Sequence, residues 1–475
     1  MATTMSSKIK LASKSCNFNL FKYLSFSGVV LYLFYLFLFA NTHIRQPDSH
    51  LSSHYQNHQV PPTNITHLVF GLIGSLKAWK HRHAYIETWW RPNVTRGYLF
   101  LDSAPTGAAS AWPDSFPPLR VSDNISTLIK ESGHVAPIMA RMVHGILETV
   151  REGDDGVRWY VMGDDDSVFF VENWVKVLAK YDHTRFMYIG GHSENLMSNY
   201  WFSFDQGFGG AGFALSQPLA AALVKNLEGC LRRHPHLKSA DFITQYCVDE
   251  LGVSLTPEKG IHQIDLRGDI SGFLSCHPQS PLLSLHHLDI VNPIFPTKDR
   301  FKSAAHIMSA ANVDSSRILQ QTICYHRDYN WSWTFSVSWG YSVYVYETTH
   351  PRTLLKRPLE TFYPWARNAG PAQYIFNPRW PPVTDGCRTP HVFFFDSVQK
   401  STENIRTEYV RVLDRNLTTC SLGKHSADSI QRIKVVSPMT ELIQYDRSEC
   451  CDVVHLDANK AEVQIRACKD NELIA

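Results

Sequence analysis

The sequence predicts an α/β protein with a mixed, mostly parallel sheet flanked by helices, preceded by a transmembrane helix and followed by a β-rich extension. Three observations support this fold class. Strand and helix patterns alternate over residues 64–260, an uncharged apolar run fills residues 23–40, and aromatic residues alternate with small polar ones after residue 325. Alternating strands and helices favour a parallel sheet, in which ligands bind beyond the carboxyl ends of the strands.

The apolar run at residues 23–40 is predicted to cross a membrane. It contains no charged residue, and as a helix it would be about 27 Å long, close to the roughly 30 Å hydrocarbon core of a bilayer. Four lysines and no acidic residue occupy residues 1–22, which indicates a cytosolic tail. A cleaved signal peptide is the alternative, but the run is longer than the apolar region of such a peptide. We therefore expect a single-pass type II protein whose remaining chain is lumenal.

The residues after this anchor are typical of the secretory lumen. Five glycosylation sequons follow it, at Asn64, Asn93, Asn124, Asn330 and Asn416. Nine of the ten cysteines also follow it, so at least one of them lacks a partner within the lumenal chain. We predict disulfides rather than zinc ligation for the last five, because no Cys-x-x-Cys pair occurs among Cys387, Cys420, Cys450, Cys451 and Cys468.

The composition excludes two classes of protein. The chain has 475 residues, with 46 Lys and Arg against 44 Asp and Glu, so it has no basic surplus that would favour nucleic acid. Hydrophobic residues make up 44% and charged residues 19%, which is too apolar for a mostly disordered chain. The net charge of +2 includes four lysines before the anchor, and it therefore reflects membrane topology rather than a ligand.

Individual elements follow from local periodicity. Residues 41–63 are rich in His, Gln, Ser and Pro, lack periodic apolar residues and are predicted to be a flexible stem. Short apolar runs predict strands at 67–75, 96–102, 157–163 and 185–191. Helical spacing of apolar residues predicts helices at 136–151, 171–181, 217–228 and 240–251, and residues 79–90 are also predicted to be helical.

The segment after residue 325 alternates large and small side chains. Trp331, Trp333, Phe335, Val337 and Trp339 are separated by small polar residues, and the alternation continues over 341–346. This period of two predicts a pair of strands. We favour a half-buried strand pair, and the alternative is an aromatic platform that binds sugars.

Three adjacent carboxylates follow the predicted strand at 157–163. Asp164, Asp165 and Asp166 repel one another, so their proximity favours a bound cation or a well-solvated loop. Carboxylate oxygens suit Mg²⁺ or Mn²⁺, which also bridge to phosphate oxygens. The alternative is an acidic loop or a helix N-cap. Because the triplet lies beyond a buried strand of a predicted lumenal protein, we favour the cation site.

With these features the chain resembles the Fringe-like glycosyltransferases of family 31, and within them the plant group of domain of unknown function 604. The resemblance runs from about residue 64 to the C-terminus, and the triplet and SLHHLD segments are its most specific parts. The matching segments are 67–92, 158–182, 209–216, 277–296 and 323–345. The resemblance implies a GT-A fold, a Golgi membrane location, a UDP-sugar donor and Mn²⁺ or Mg²⁺ as cofactor.

The family pattern implies roles for the acidic and histidine residues. Asp164 and Asp166 would bind the metal, and Asp165 would contact the ribose or sugar of the donor. A histidine of the SLHHLD segment would be a further metal ligand, which corresponds to His287 or His286, and we favour His287.

Other residues are candidates for donor binding. Gly209, Gly210 and Gly212 resemble a loop whose backbone approaches the sugar closely, although a tight turn would also explain them. Asp102 closes a predicted strand where a nucleotide would lie, and Arg82 is placed to meet a diphosphate. Ordinary surface or packing roles are the alternative for Asp102 and Arg82.

Asp241 is the candidate catalytic base. An inverting transfer needs a carboxylate that removes the proton of the acceptor hydroxyl. Relatives usually carry paired acids at the corresponding helix start, whereas this chain has Ala240 followed by Asp241. The alternative role for Asp241 is to cap the helix, as Ser239 could also do.

These features predict five segments: a cytosolic tail at 1–22, an anchor at 23–40, a stem at 41–63, a GT-A-like domain at 64–300, and a β-rich, cysteine-containing extension at 301–475. The expected function is metal-dependent, inverting transfer of a hexose from a UDP-sugar to a glycan hydroxyl with a β-1,3 linkage. The expected partners are the donor, the glycan acceptor and the membrane, without nucleic acid. A non-catalytic Golgi glycan-binding or scaffold protein is the alternative, favoured by Ala240; a phosphodiesterase or nuclease fits the carboxylates but not the stem topology.

Overall fold

The computed structural model describes residues 32, 33, 35, 61–106, 112–329, 331–366, 373–381, 384–420, 426–457 and 459–474. The chain divides into two units, Met1–Pro61 and Pro62–Ala475. The predicted tail, and nearly all of the predicted anchor and stem, lie outside the described residues; of the anchor, residues 32, 33 and 35 are described and are helical. Within the described part, no helix has the length and apolar character needed to cross a bilayer.

The elements up to residue 311 follow the predicted alternation. The strands are β1 Leu68–Ile73, β2 Gly97–Leu101, β3 Leu119–Val121, β4 Trp159–Asp164, β5 Val168–Phe169, β6 Tyr188–Gly190, β7 Phe213–Ser216, β8 Leu255–Pro257, β9 Ile261–His262, β10 Leu266–Gly268 and β11 Ser284–Leu285. The helices are α1 Leu76–Glu87, α2 Ser126–Ser132, α3 Pro137–Arg151, α4 Val171–Leu178, α5 Leu196–Trp201, α6 Gln217–Arg233, α7 Ala240–Asp249, α8 Ser271–Leu274 and α9 Arg300–Ala311.

A seven-stranded sheet with the order β3-β2-β1-β4-β7-β6-β8 is the centre of this part. β7 runs antiparallel to both of its neighbours, and the other adjacent strands are parallel. The mixed, parallel-rich sheet flanked by helices is therefore confirmed. All strands except β7 end at the same edge, which we call the carboxyl edge, and ligands of such sheets bind there.

Both faces of this sheet are covered. In β1, Leu68, Phe70 and Leu72 join one hydrophobic cluster, while Val69 and Ile73 join another on the opposite face. This split follows from the alternation of side chains along a strand, and a strand covered on both faces is continuously apolar. Helices α3, α6 and α7 pack against one another on the second face.

Short strands bring distant segments of the chain to the carboxyl edge. β11 pairs with β5 in antiparallel orientation and with β9 in parallel orientation. Because β5 follows Asp164–Asp166 and β11 precedes His286, this small sheet joins the acidic triplet to the histidine pair across more than a hundred residues of sequence.

The C-terminal part contains an eight-stranded sheet with the order β12-β13-β14-β16-β17-β18-β20-β19, and β15 pairs with β10 outside it. The bounds are β12 Gln321–Arg327, β13 Ser332–Ser338, β14 Ser342–Tyr346, α10 Arg352–Leu355, β15 Phe362–Pro364, β16 His391–Lys400, β17 Asn404–Arg411, β18 Arg432–Pro438, β19 Cys450–Leu456 and β20 Lys460–Arg466.

The aromatic strand pair predicted here is present, and it is buried rather than half-buried. Trp333 is 2% exposed and Trp339 is fully buried, because β13 and β14 are interior strands and most of their side chains lie in the core. The alternative of a sugar-binding platform at this position is therefore wrong.

Disulfides form as predicted in the extension, where they join Cys324 to Cys451, Cys387 to Cys420 and Cys450 to Cys468. A further bond, Cys230–Cys247, joins α6 to α7. Among the described cysteines Cys276 is free, and Cys16 lies outside the described residues. One hydrophobic cluster contains both Trp159 of the first sheet and Trp333 of the second, so Pro62–Ala475 shares a continuous core.

Candidate active site

The acidic triplet lies in a tight turn at the carboxyl edge. Asp164 is the last residue of β4, and its backbone N–H donates to the Ser167 hydroxyl at 2.8 Å. The same hydroxyl donates to the carbonyl of Gly210 at 2.6 Å. Ser167 therefore fixes the turn and ties it to the glycine loop.

Asp164, Asp166 and His286 form a group whose ligand atoms all lie within 4.8 Å of one another. The Nε2 atom of His286 is 3.2 Å from a carboxylate oxygen of Asp166 and 3.9 Å from one of Asp164. Asp166 is fully buried and His286 is 4% exposed. Two carboxylates and an imidazole are a donor set that suits Mn²⁺, so the residues present fit the predicted cation.

Charge crowding perturbs this group strongly. Burial, followed by the neighbouring Asp166 carboxylate, raises the pKa of Asp165 to about 6 and that of Asp164 well above its usual value. Burial would also raise the pKa of Asp166, but His286 and Arg82 outweigh it and lower that pKa to about 2. Burial lowers the pKa of His286, and the neighbouring Asp166 carboxylate opposes this shift. Adding a divalent cation would relieve the repulsion between the carboxylates.

The structure places His286 beside Asp164 and Asp166, whereas the sequence analysis favoured His287 for this position. His287 adopts a left-handed backbone with φ of 55°, and its Nδ1 atom lies 3.2 Å from Asp265. Its ring stacks between His286, at a centroid distance of 4.0 Å, and Trp365, at 4.8 Å. Because the backbone turns at His287, its ring faces Asp265, while the ring of His286 faces the acidic triplet.

Arg82 balances part of the negative charge. Its guanidinium lies 3.0 Å from Asp165, 3.2 Å from Asp166 and 3.0 Å from Asp289. The side chain is 31% exposed, so it is screened by solvent on one side. The sequence placed Arg82 where a diphosphate would lie, and the structure places it against the carboxylates at that edge.

Asp102 lies at a second part of the carboxyl edge. It accepts a hydrogen bond of 2.8 Å from the backbone N–H of Leu76 at the start of α1. It also lines a cavity of about 900 Å³ beyond β1, β2 and β3, together with Ser75, Lys77 and Arg141. This cavity is large enough for a nucleotide, and it combines carboxylate and cationic side chains.

Asp241 lies across the glycine loop from the triplet. Its carboxylate accepts a hydrogen bond of 2.8 Å from the backbone N–H of Gly209, and the two residues line a small cavity with Asp164. Burial raises the pKa of Asp241 to about 6, although the Gly209 N–H opposes this shift. Ser239, the N-cap of α7, makes no side-chain capping bond. Asp241 therefore bonds to the glycine loop, so capping of α7 is not its only contact.

The three candidate glycines pass between bulky side chains of the site. A Cβ at Gly210 would lie 2.0 Å from the His286 ring, and one at Gly209 would lie 2.7 Å from Asp241. Gly212 has φ of 91°, which side chains disfavour. The loop therefore needs glycine to fit against His286 and Asp241.

Sequence reasoning missed three residues that contact the site. Asp265 follows β9, and Asp289 follows β11 and the histidine pair. Both could have been predicted from the sequence as acids that follow a buried strand. Trp365 belongs to the extension, and Arg267 packs over its ring at 4.5 Å. No periodic pattern surrounds Trp365, and its position depends on pairing of β10 with β15.

Comparison with known proteins agrees with this geometry. A family model described as Fringe-like matches residues 75–292, and one described as protein of unknown function, DUF604, matches residues 198–451, more than half of the chain. The β-1,3-N-acetylglucosaminyltransferase lunatic fringe of Danio rerio is 32% identical over 127 residues, which is 23% of this chain and 33% of that protein. The chain thus matches about a third of the length of this curated relative. It belongs to the Fringe-like glycosyltransferases of family 31, in the group described as DUF604.

Proposed function

We propose that the protein transfers a hexose from a UDP-sugar to a hydroxyl of a glycan, with inversion at the anomeric carbon and with Mn²⁺ or Mg²⁺ as cofactor. The observation that supports this most directly is that Asp241 and Asp164 line one small cavity, and that the glycine loop lies against both Asp241 and His286. In this arrangement the cation would bind at Asp164, Asp166 and His286, and the proton acceptor, Asp241, would lie apart from it.

Asp164, Asp166 and His286 would hold the cation. When bound, it neutralises the donor diphosphate and stabilises the departing UDP. Arg82 adds a fixed positive charge beside the same carboxylates. The cavity lined by Asp102, at the neighbouring strand ends, would bind the nucleotide.

Asp241 would accept the proton of the acceptor. The acceptor oxygen bonds to the anomeric carbon as the bond from that carbon to the UDP oxygen breaks, and the hydroxyl proton passes to the carboxylate. The Gly209 N–H holds one oxygen of Asp241 and thereby orients the carboxylate. A β-1,3 linkage is part of the proposal, because the matched zebrafish protein is named a β-1,3-N-acetylglucosaminyltransferase.

The proposal includes a Golgi location with the site in the lumen. The uncharged run at 23–40 and the four disulfides support it. The sequon residues Asn64, Asn93 and Asn416 are exposed. Protease digestion of sealed microsomes containing the full chain should leave a protected, endoglycosidase-sensitive product, and cleavage to small fragments in intact vesicles would contradict the topology.

The deciding experiment measures UDP release from a panel of UDP-hexoses and UDP-N-acetylhexosamines by the full chain, with and without Mn²⁺. At least one donor should be turned over, and chelation or Asp166→Asn should reduce the rate by about a hundredfold or more. Asp114→Asn, at an exposed carboxylate outside the site, is the matched control. A rate unchanged by Asp166→Asn would contradict the metal role, and glycan binding without turnover of any donor would favour the scaffold alternative.

A further inference from the structure

Four aromatic side chains in a segment that contacts the helix of the candidate base are exposed and have no role in the proposed chemistry. Tyr200 is 71% exposed, Trp201 56%, Phe202 40% and Phe204 49%. We call residues 200–204 the aromatic segment. It begins at the end of α5 and leads towards the glycine loop. Exposed aromatic residues concentrated in one short segment mark a surface that binds a partner.

The aromatic segment contacts the helix that carries Asp241. The ring of Phe202 lies 6.0 Å from that of Phe242, the residue directly after the candidate base. Phe204 lies against His192, whose Nε2 is 2.9 Å from the Phe204 carbonyl. The segment therefore extends from the candidate base towards the carboxyl end of β6.

A cavity of about 280 Å³ continues this surface. It lies at the carboxyl ends of β6 and β8, and His192 lines it as well as contacting the aromatic segment. The cavity combines the rings of Phe273 and Phe376 with the polar side chains of Glu194 and Lys259. Aromatic walls with a few polar groups are typical of sites for small polar ligands.

The C-terminal extension supports the backbone before the aromatic segment. The Leu196 N–H donates to the carbonyl of Gln373 at 3.1 Å, and the Ile375 N–H donates to the carbonyl of Glu194 at 3.1 Å. The surface is therefore built jointly by the first part of the chain and the extension, and it is held in place before any ligand binds.

Buried polar side chains connect the residue before the aromatic segment to the cation-binding residues. Asn199 donates to the carbonyl of Ser193 at 2.8 Å, and the Ser193 hydroxyl donates to Asp265 at 2.6 Å. Asp265 in turn lies against His287, which stacks on His286. The residue directly before the aromatic segment is thus connected to His286 through polar contacts and ring stacking.

We propose that the aromatic segment and the 280 Å³ cavity bind the acceptor as an oligosaccharide of more than one sugar unit. This inference rests on the proposed function, because the accepting hydroxyl must lie at Asp241 and neighbouring sugar units must then lie along adjacent surface. Sugar rings present C–H faces that stack on aromatic rings such as Phe273 and Phe376, and their hydroxyls suit the exposed ammonium group of Lys259. A lipid chain offers no hydroxyl group to Lys259.

The first test is calorimetric binding without any UDP-sugar, using the full chain. The probes are β-linked tetrasaccharides of glucose, galactose, xylose and N-acetylglucosamine, each with its monosaccharide. At least one tetrasaccharide should bind about tenfold or more tightly than its monosaccharide, and Trp201→Ala should weaken that binding about tenfold or more. Tyr329→Ala, which removes a 97% exposed aromatic ring in the loop after β12, is the control and should bind normally. Absence of binding across the set would overturn the proposal.

The second test separates acceptor binding from donor chemistry. UDP release is measured without acceptor, and transfer is measured with the tetrasaccharide that binds. Trp201→Ala should lower the ratio of transfer to UDP release about tenfold. An equal loss of transfer and UDP release would assign the segment to donor binding and overturn the proposal. Tighter binding of a peptide or of lipid vesicles than of any tetrasaccharide would assign the segment to another partner and would also overturn it. Absence of UDP release by the unmodified chain would contradict the proposed function while leaving the calorimetric result valid.

Discussion

Gly210 is the residue at which the loop and the cation-binding group are most tightly packed. An added methyl group would lie 2.0 Å from Cε1 and 2.4 Å from Nδ1 of His286, so the ring or the loop must shift. We predict that Gly210→Ala displaces His286 from Asp166 and raises the Mn²⁺ concentration needed for half-maximal UDP release by about tenfold or more. The measurement is an Mn²⁺ titration of UDP release.

Gly229→Ala is the matched control, because its added Cβ would meet the flexible end of Arg233 within α6. Its Mn²⁺ dependence should equal that of the unmodified chain. A Gly210→Ala variant with unchanged Mn²⁺ dependence would show that His286 is not part of the cation site.

The carboxylate of Asp241 should make the rate of turnover depend on pH. The pKa of Asp241 is raised to about 6 by burial, and only the ionised carboxylate accepts a proton. Turnover at saturating donor, acceptor and Mn²⁺ should therefore rise with pH through about 6 and level off above it. Saturating Mn²⁺ suppresses protonation of the metal ligands, so the remaining dependence reports the base.

The conservative control is Asp249→Asn at the other end of α7, which should keep this profile. Asp241→Asn should lower turnover by about a hundredfold or more, because the amide cannot accept the proton. A turnover that is flat between pH 5 and pH 7, in which pH range the carboxylate would change its charge, would exclude Asp241 as the base.

At the scale of elements, the Cys230–Cys247 bond holds the helix of the candidate base against its neighbour. It closes a separation of 17 residues between α6 and α7, and both cysteines are buried. Replacing both by alanine should lower the free energy of unfolding by about 3 kcal/mol, because the unfolded chain gains conformational freedom. Urea unfolding gives the stability, and UDP release shows whether α7 still positions Asp241.

The Cys387–Cys420 bond in the extension is the matched control. It joins residues 33 apart and lies outside the elements of the candidate site. Its removal should lower stability by a similar amount, about 3–4 kcal/mol, without changing UDP release at low temperature. Equal loss of activity in both variants would mean that the Cys230–Cys247 bond has no particular role in positioning α7.

At the scale of the whole molecule, the two sheets share one hydrophobic core. Trp159 and Phe169 of the first part belong to the same cluster as Trp333 and Val435 of the extension. Helix α9 also packs against both α1 and β16. Neither part buries its apolar surface alone, so we expect residues 62–475 to unfold as one cooperative unit.

Urea unfolding followed by far-ultraviolet circular dichroism and by tryptophan fluorescence tests this expectation, and the two transitions should coincide. A chain ending at residue 300 should fail to fold, because it exposes the core surface that the extension covers. Two separate transitions, or a folded and active truncated chain, would show that the parts are independent domains divided at the predicted boundary.

Local patterns were sufficient for the alternation of strands and helices. Burial along a few consecutive residues produces a periodic pattern in the sequence, so it can be predicted locally. Examples are the apolar run of β1, the apolar stripe of α3 and the alternation in β13. The position of Asp164–Asp166 at the carboxyl end of β4 was also predicted, because strand direction determines which end of a parallel sheet carries ligands. Family resemblance added the expected roles of these residues.

Only the tertiary structure decided the choices that depend on contacts between distant segments. In the sequence analysis either histidine was possible and His287 was favoured, whereas in the structure the backbone is left-handed at His287 and it is His286 that lies against Asp166. Whether an aromatic residue is buried or exposed also depends on distant segments: Trp333 is buried between packed elements, while Trp201 at the end of a short helix is exposed. By itself the sequence determined which segments become strands and helices, and that Asp164–Asp166 follow a buried strand, because short-range periodicity is sufficient for both. Only the tertiary structure decided which side chains contact one another, because those contacts join segments that are distant in the sequence.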